Sequence, residues 1–291
     1  MIEISSTMSQ EIIIKRQNGC PDAIDLNIAA RAPREGKVFS KTPKIGLVIG
    51  TYGALAYVQL QLEARQRLYP HIPMLVHDDG SPQSDELSRL CADYGADFES
   101  AAERSKHQHG DLLAIIGGFL WAKANGVDLL VKMSRRFVPL INWTEELARL
   151  AMESQYATYS SWTTTWNFGF RTECVGFAVK VWMDLALVDH MRRKYLSGSS
   201  LLVEQFVHDL ARVAAGCNCI DALDFDNRVG ERPYERNGYV VWDFIGDDRA
   251  SPNGRFLWHN SAELSEYFRL SKKWGLRWEE EDFDLSAKDT L

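Results

Sequence analysis

Three short stretches of the chain combine side chains that could bind a polar ligand. They are residues 51–53 (TYG), 77–81 (HDDGS) and 134–136 (SRR). A carboxylate accepts hydrogen bonds, a tyrosine ring stacks on flat groups, and a guanidinium directs two parallel hydrogen bonds at one anionic group. If the fold brings the three stretches together, they form a single polar cleft.

The elements that must position these stretches are buried strands. Each stretch directly follows an apolar run, namely KIGLVIG, PMLVH and VDLLVKM. Strand-like and helix-like segments alternate four times with short turns, which predicts an α/β fold with a mainly parallel sheet covered by helices on both faces. In such sheets ligands bind at the carboxyl ends of the strands, so we expect the three stretches to converge on one cleft.

The organisation of the chain changes twice along its length. Residues 1–43 predict an N-terminal arm, residues 44–140 the alternating α/β half, and residues 141–291 a less regular half of the same globular unit. The third region is rich in aromatic residues. It contains a predicted helix at 200–216 and, at 254–276, a turn followed by an amphipathic helix.

Composition narrows the function classes. The 291 residues carry a net charge of -7, which argues against nucleic acid as a partner, because general polyanion binders carry excess Lys and Arg. No stretch approaches the roughly 20 apolar residues of a transmembrane segment, and the first residues lack the order of a signal peptide. A cytoplasmic protein is the expectation. Five cysteines without a CxxC pair favour reduced thiols.

Common cofactor motifs do not fit the sequence. The turn after the first strand, residues 50–55 (GTYGAL), has one glycine pair at the wrong spacing for the GxGxxG of dinucleotide-binding proteins. Neither a P-loop nor a GxSxG nucleophile motif occurs. We therefore predict no bound organic cofactor.

Three quoted segments carry a resemblance to a known fold family. They are GLVIGTYG, MLVHDDGSPQSDEL and AKANGVDLLVKMSRRF. Together they resemble the GT-A fold of nucleotide-sugar-dependent glycosyltransferases, with the Asp-Gly-Ser turn usual in family 2. The resemblance covers about residues 44–140 and continues more loosely to about 260. It implies a Rossmann-like nucleotide-sugar-binding half followed by an acceptor-side half.

The resemblance assigns residues of the first two strand ends to the nucleotide. By position, Thr51, Tyr52 and Asp79 become nucleotide-binding candidates, with Asp78 next. Their chemistry fits, because a carboxylate accepts hydrogen bonds from a base imide or ribose hydroxyl and an aromatic ring stacks on a base. The alternative is that residues 78–81 form a turn held by its own side-chain hydrogen bonds.

The end of the fourth strand departs from the family pattern. GT-A enzymes usually hold a divalent cation there with an Asp-x-Asp motif, but this chain has Ser134, Arg135 and Arg136. Two guanidiniums cannot bind Mg²⁺ or Mn²⁺, yet they could replace the metal by stabilising the leaving diphosphate. We therefore predict no metal at this position, with Ser134 beside the donor. Adjacent residues face opposite ways, so at most one arginine is expected to point into the cleft.

Two alternatives accompany this hypothesis. The arginines could instead pair with structural acids such as Glu145 and Glu146. Lys132, inside the fourth strand, should be paired with a carboxylate if it is buried.

Later segments supply the remaining candidates. The resemblance places a catalytic base near the predicted helix at 200–216, where Asp209 is preferred over Glu204 and His208. Asp209 could equally be a salt-bridge partner of Arg212. His259 occupies a position where some GT-A enzymes place a histidine beside the diphosphate, although a structural role is the commoner one for such a residue.

The aromatic run at 159–168 could contribute to an acceptor site. Trp162 and Trp166 are candidate contacts with an acceptor sugar, while Tyr159 and Phe168 are expected to pack in the core.

The sequence thus predicts a glycosyltransferase that moves a sugar from a nucleoside diphosphate sugar to a glycan, lipid or protein acceptor. A non-catalytic descendant that keeps the nucleotide-binding sheet as a scaffold is the alternative. A nucleotidyltransferase is less favoured, because that chemistry normally needs acids to hold Mg²⁺.

Overall fold

The structure is a computed structural model of the 291-residue chain. It describes residues 37–105, 109–154, 156–160, 172, 174–198, 203–215, 235–236, 239–241, 256–257 and 264–283. Most of the predicted N-terminal arm lies outside these residues. The proposed division at residues 43 and 140 therefore stays a prediction.

The described strands form two sheets. Their bounds are β1 Ile45–Thr51, β2 Met74–Asp78, β3 Asp97–Ser100, β4 Leu129–Ser134, β5 Val138–Pro139, β6 Thr158–Ser160, β7 Cys174–Ala178, β8 Glu235–Arg236, β9 Tyr239–Val241 and β10 Phe256–Leu257. The large sheet has the order β3-β2-β1-β4-β7-β6-β9-β8, and β5 pairs with β10 separately. Strands β3, β2, β1 and β4 are mutually parallel, whereas β7 is antiparallel to both β4 and β6.

Helices connect and cover these strands. Their bounds are α1 Leu55–Leu68, α2 Ser84–Asp93, α3 His109–Ala124, α4 Thr144–Ser154, α5 Val179–Asp184, α6 Leu187–Leu196, α7 Val203–Ala215 and α8 Leu264–Lys273, followed by a 3-10 turn at Glu280–Asp282. The predicted α/β class, with a mostly parallel sheet flanked by helices, is confirmed. The two helices predicted in the second half are also present, as α7 and α8.

Helix α3 sits unusually close to the centre of the sheet. A Cβ atom at Gly118 would lie 2.8 Å from Val48 Cγ1 of β1, so a larger residue would push the helix away. Strand β1 is apolar because it is covered on both faces, and its first five residues are all buried. The close approach of α3 fixes the position of its first turn beside the ends of β1 and β2.

A second cluster joins the C-terminal region to α1. Tyr57 of α1 makes edge-to-face contacts with Tyr267 of α8 and with Phe283, at centroid distances of 4.9 and 5.4 Å. Tyr159, by contrast, is fully buried in the main core, as expected for a packing residue. None of the described helices has the length and apolar character needed to span a membrane.

Candidate functional site

The three strand ends meet at one edge of the sheet, which we call the carboxyl edge. In the parallel register Thr51 pairs with Asp78, and Gly50 pairs with Ser134. Backbone hydrogen bonds continue past the strands, since Asp79 N donates to Thr51 O at 2.9 Å and Arg135 N donates to Gly50 O at 3.2 Å. The expectation that these stretches converge is therefore confirmed.

Asp78 holds the turns of the carboxyl edge together. Its side chain is 0 % exposed, and its carboxylate accepts hydrogen bonds from the backbone amides of Gly53 (3.1 Å) and Ser81 (2.8 Å). The hydroxyls of Ser81 and Ser100 add bonds of 3.1 and 3.2 Å. These four bonds occupy most of the acceptor capacity of the carboxylate. Asp78 therefore behaves as the alternative for residues 78–81 proposed, since its side chain holds the turn by hydrogen bonds. The predicted contact of Asp78 with a nucleotide stays a prediction.

Asp79 is less completely engaged. It is 8 % exposed and accepts two hydrogen bonds from Ser105, one from the backbone amide (3.1 Å) and one from the hydroxyl (2.8 Å). A Cβ at Gly110 would lie 2.7 Å from Asp79 Oδ2, so the start of α3 closes over this carboxylate. Burial raises the pKa of Asp79, although the bonds from Ser105 and the nearby His77 and Arg104 oppose the rise.

The predicted residues of the β1 end make local contacts. Thr51 Oγ1 donates to Gly53 O at 2.6 Å, which uses its only proton within the turn. The ring of Tyr52, the candidate for base stacking, has the guanidinium of Arg104 above it at 4.1 Å from the ring centroid. Arg104 was not among the sequence candidates. It follows β3, so extending the strand-end rule to a fourth strand would have pointed to it.

The end of β4 is fixed through its backbone. Residues 134–137 form a turn closed by Phe137 N donating to Ser134 O at 3.0 Å. Gln61, fully buried on α1, donates from Nε2 to Ser134 O at 3.1 Å and also to Phe137 O. Tyr267 of α8 donates its hydroxyl proton to Arg136 O. Two neighbouring helices therefore determine the course of this turn.

The three side chains of this turn, Ser134, Arg135 and Arg136, differ in their contacts and burial. Arg136 lies against the α1–α8 cluster, 5.8 Å from the centroid of Tyr57, and makes no salt bridge within the described residues. The suggested pairing of Arg136 with Glu145 or Glu146 is therefore wrong for the structure described. Ser134 Oγ is buried, and in the described part of the chain it has no hydrogen-bond partner. Arg135 is partly exposed.

Lys132 confirms the expectation of a carboxylate partner. Its fully buried ammonium donates to Asp111 Oδ1 at 2.7 Å and to Thr172 O at 2.9 Å. Asp111 lies in the first turn of α3, where a negative charge is favourable, and its side chain is 40 % exposed. Because a Cβ at Gly50 would lie 3.7 Å from Asp111 Oδ1, this acid borders the carboxyl edge. Asp111 was not among the candidates that the sequence analysis proposed.

Across the ranges that the structure describes, no group of three or more His, Cys, Asp and Glu side chains is arranged to hold a metal ion. The prediction that no metal binds at the β4 end concerns the ligand-bound protein and stays a prediction.

The remaining candidates lie away from the contacts above or outside the described residues. Asp209 is buried on α7, which packs against α3 and β6. Glu204 lies on the same helix, and the side chain of His208 is not described. Trp162, Phe168, Trp166 and His259 lie outside the described residues. Their predicted roles therefore stay predictions.

Comparisons with known proteins give matches in structure only. Neither the protein-family models nor the curated protein sequences match this chain. Among solved structures, the glycosyltransferase GlyE of Streptococcus pneumoniae TIGR4 is similar at 10 % identity and a TM-score of 0.41, over 58 % of this chain and 43 % of that chain.

Two further structures give comparable values. The mannosyltransferase PcManGT from Pyrobaculum calidifontis, in complex with GDP-Man and Mn²⁺, has 11 % identity and a TM-score of 0.39, over 58 % of this chain and 56 % of that one. S. aureus TarS 1-349 has 11 % identity and a TM-score of 0.44, over 82 % and 67 %. The matched region thus spans about half the length of GlyE and of PcManGT. At these low TM-scores the likenesses carry no argument about fold or activity.

Proposed function

We propose that the protein is a glycosyltransferase that transfers a sugar from a nucleoside diphosphate sugar to an acceptor hydroxyl. The observation that carries this proposal is the meeting of the β1, β2 and β4 ends, which brings the carboxylate of Asp79 and the Ser134-Arg135-Arg136 turn to one edge of the sheet. Carboxylates suit the hydroxyls and imide of a nucleoside, and guanidiniums suit a diphosphate. One donor molecule needs both.

Each group has a role in the proposed reaction. Asp79 accepts hydrogen bonds from the nucleoside, and Tyr52 and Thr51 shape its pocket. At the other end, Arg135 binds the diphosphate, Ser134 Oγ donates to it, and Arg136 adds positive charge from the aromatic cluster. As the bond between the anomeric carbon and the diphosphate breaks, negative charge grows on the leaving oxygen, and fixed cations stabilise it. No metal is required at β4 in this proposal.

The acceptor side completes the reaction. The acceptor oxygen forms the new bond to the anomeric carbon, and its proton passes to a carboxylate, for which Asp209 is the candidate. His259 is proposed to lie beside the diphosphate. The acceptor is a glycan, lipid or protein hydroxyl.

A second candidate function is a nucleotide-binding scaffold without catalysis. The presence of Ser134, Arg135 and Arg136 in place of the usual acidic motif favours it, because loss of that motif is what a descendant without catalysis would show. Such a protein binds a nucleotide sugar and leaves it intact.

A thermal-shift screen tests both candidates. The full chain is incubated with UDP-, GDP-, CMP- and TDP-sugars, first with EDTA and then with Mn²⁺, beginning with UDP-GlcNAc and GDP-Man. We expect stabilisation that survives EDTA and falls in Arg135→Ala and Arg136→Ala. Arg89→Ala is the matched control, because Arg89 is an exposed arginine on α2.

The outcomes separate the hypotheses. Strict dependence on Mn²⁺ would contradict the role given to the arginines. A bound donor that is hydrolysed or transferred excludes the scaffold, whereas one that stays intact with every acceptor class tried favours it. Absence of stabilisation by any nucleotide sugar would remove both candidates.

A further inference from the structure

His77, on β2, is a buried histidine whose ring nitrogens are not engaged. The residue is 5 % exposed, and within the described ranges neither Nδ1 nor Nε2 has a hydrogen-bond partner. Buried polar side chains are nearly always hydrogen-bonded, so an exception requires a physical explanation. Histidine is the side chain that commonly changes its charge between pH 5 and 8, which points to a ring that acts in its protonated form.

Glu99 lies close to this ring without bonding to it. Its Oε2 atom is 3.6 Å from His77 Nδ1, which is longer than a hydrogen bond, and its side chain is 54 % exposed. The two residues are directly opposite in the parallel register of β2 and β3. In a protonated imidazole both nitrogens are donors, and a charge-assisted bond to a carboxylate is about 2.7–2.9 Å long. A small movement of Glu99 therefore converts the contact into an ion pair.

Helix α3 covers the pair with a glycine. A Cβ atom at Gly117 would lie 3.1 Å from His77 Nδ1 and 3.0 Å from Glu99 Oε2, so a larger residue would crowd both groups. Two turns earlier on the same helix, Gly110 lies in the same way against the Asp79 carboxylate. One face of α3 thus covers His77 and Asp79, and charges interact more strongly in such a covered space than in water.

The charged groups of the other neighbouring elements have partners of their own. Asp111 of α3 is bound by Lys132 of β4. Arg104, which follows β3, stacks on an aromatic ring. Strand β1 places Gly50 opposite His77 and adds no charge. The acids that a charged His77 meets directly are therefore one on β3 and one on its own strand.

The acid on its own strand is Asp79, which is coupled to this histidine. Asp79 follows His77 by two residues, and side chains two residues apart in an extended chain point to the same side. Burial raises the pKa of Asp79, whereas a positive charge on His77 lowers it. Proton uptake by His77 therefore opposes proton uptake by Asp79 as the pH falls.

We infer that His77 is a positioning residue of the donor site, which on protonation pairs with Glu99 and keeps the Asp79 carboxylate charged for the nucleoside. The inference rests on the proposed function, since Asp79 is the nucleoside acceptor there. His77 itself touches no part of the donor. With this support the protein keeps its affinity for a nucleotide at a lower pH than the burial of Asp79 alone would allow.

The first test needs no ligand. In the full chain, NMR of labelled carboxyl carbons follows Asp79, and NMR of labelled ring nitrogens follows His77, one of seven histidines. Asp79→Asn and His77→Gln assign the two signals. We expect His77→Gln to move proton uptake by Asp79 to higher pH, and Glu99→Gln to move proton uptake by His77 to lower pH. His71→Gln, at an exposed histidine just before β2, should change neither.

The second test measures affinities for UDP and GDP by calorimetry at pH 7.5 and at pH 5. Each affinity is expressed relative to the wild type at the same pH, so that titration of the ligand itself cancels. At pH 7.5 His77→Gln should bind as tightly as the wild type, because an aspartate is ionised there without help. At pH 5 its affinity should fall several-fold below the wild type. A merely structural role of His77 would lower the affinity equally at both pH values.

Four results would overturn the inference. A His77 ring that stays neutral at pH 5, or that titrates identically in Glu99→Gln, would exclude the ion pair; this measurement decides even where His77→Gln does not fold. An Asp79 titration that is unchanged in His77→Gln would exclude the coupling and leave the proposed function intact. If the wild type binds neither nucleotide, nor CDP or TDP, the proposed function fails, and the role of His77 in binding fails with it even where the two titrations are coupled.

Discussion

The ends of β2 and β4 lie on either side of β1, and they are held in opposite ways. At the β2 end a buried side chain, Asp78, binds the surrounding amides and hydroxyls. At the β4 end the buried partners come from other elements, and Gln61 and Tyr267 bind backbone carbonyls of the turn. The first turn is therefore held by one of its own side chains, whereas Gln61 and Tyr267 hold the second through its backbone carbonyls.

This difference explains how the β4 turn can carry Ser-Arg-Arg at a position where the GT-A glycosyltransferases that the sequence resembles usually have acids. Its course depends on carbonyl groups, which every residue type supplies. Substitution there changes the charge of the carboxyl edge and leaves the hydrogen bonds donated by Gln61 and Tyr267 in place. The β2 end does not have this freedom, because its turn depends on one carboxylate.

The largest effect is expected for Asp78→Ala. Removal of the carboxylate leaves the buried amides of Gly53 and Ser81 without acceptors, and each such group costs about 1–3 kcal/mol. We expect the free energy of unfolding to fall by about 3–5 kcal/mol in urea titrations. Arg135→Ala, the corresponding change at β4, leaves the hydrogen bonds that Gln61 and Tyr267 donate to the turn in place and should cost less than Asp78→Ala. Similar costs for the two variants would refute the contrast.

The next effect concerns the ion pair behind the β4 end. Asp111→Ala leaves the fully buried ammonium of Lys132 with only the carbonyl of Thr172, so we expect a loss of about 2–4 kcal/mol in unfolding free energy. Lys132→Met leaves a carboxylate that is partly exposed and can be hydrated, so it should change stability by less than about 1 kcal/mol. Chemical denaturation at neutral pH would measure both changes. Equal losses of stability in Asp111→Ala and Lys132→Met would contradict this expected difference.

Gln61→Leu tests the backbone support of the β4 turn directly. Leucine fills a similar volume but leaves the carbonyls of Ser134 and Phe137 without this donor, so we expect a loss of about 1–3 kcal/mol. Nucleotide-sugar binding should weaken as well, because the arginines lose their fixed positions. Gln59→Leu, which alters only a 3.4 Å contact with Tyr94, is the control. Unchanged binding in Gln61→Leu would separate the turn from the ligand site.

The sequence was sufficient for those parts of the fold that follow from hydrophobic pattern and strand order. Buried runs ending in polar turns predicted β1, β2 and β4, and the alternation of strands and helices predicted the parallel pairing that brings the ends of these strands together. It was insufficient wherever the partner comes from a distant segment. Nothing local to Gln61 or Tyr267 shows that they bind the β4 turn, since each lies more than 70 residues away.

The same limit applies to the site. Both Asp78 and Asp79 are candidates in the sequence, but their different roles depend on which of the two carboxylates the turns enclose. The stacking of Arg104 on Tyr52 also depends on contacts between Gly80 and Glu103 that no periodicity reveals. Asp111 was overlooked because its partner, Lys132, lies on another element.

The smallest expected effect is a pH dependence that distinguishes Asp79 from its neighbour. Burial raises the pKa of Asp79, so the carboxylate takes up a proton at a higher pH than an ordinary aspartate, for which the pKa is about 3.9. Its ionised form is the less stable one in the folded protein, and this destabilisation is present above the raised pKa and disappears as the pH falls. The ionised form is also the one that accepts hydrogen bonds from a nucleoside.

Stability and binding should therefore change in opposite directions when Asp79 is neutralised. Asp79→Asn should raise the unfolding free energy relative to the wild type more at pH 7 than at pH 4, because only the wild type carries the buried charge at the higher pH. It should also reduce UDP and GDP affinity and flatten its pH dependence. Parallel titrations of stability and binding, with Asp85→Asn on the surface of α2 as control, measure both. A wild-type affinity that does not fall on acidification would exclude Asp79 as the nucleoside acceptor and leave its burial purely structural.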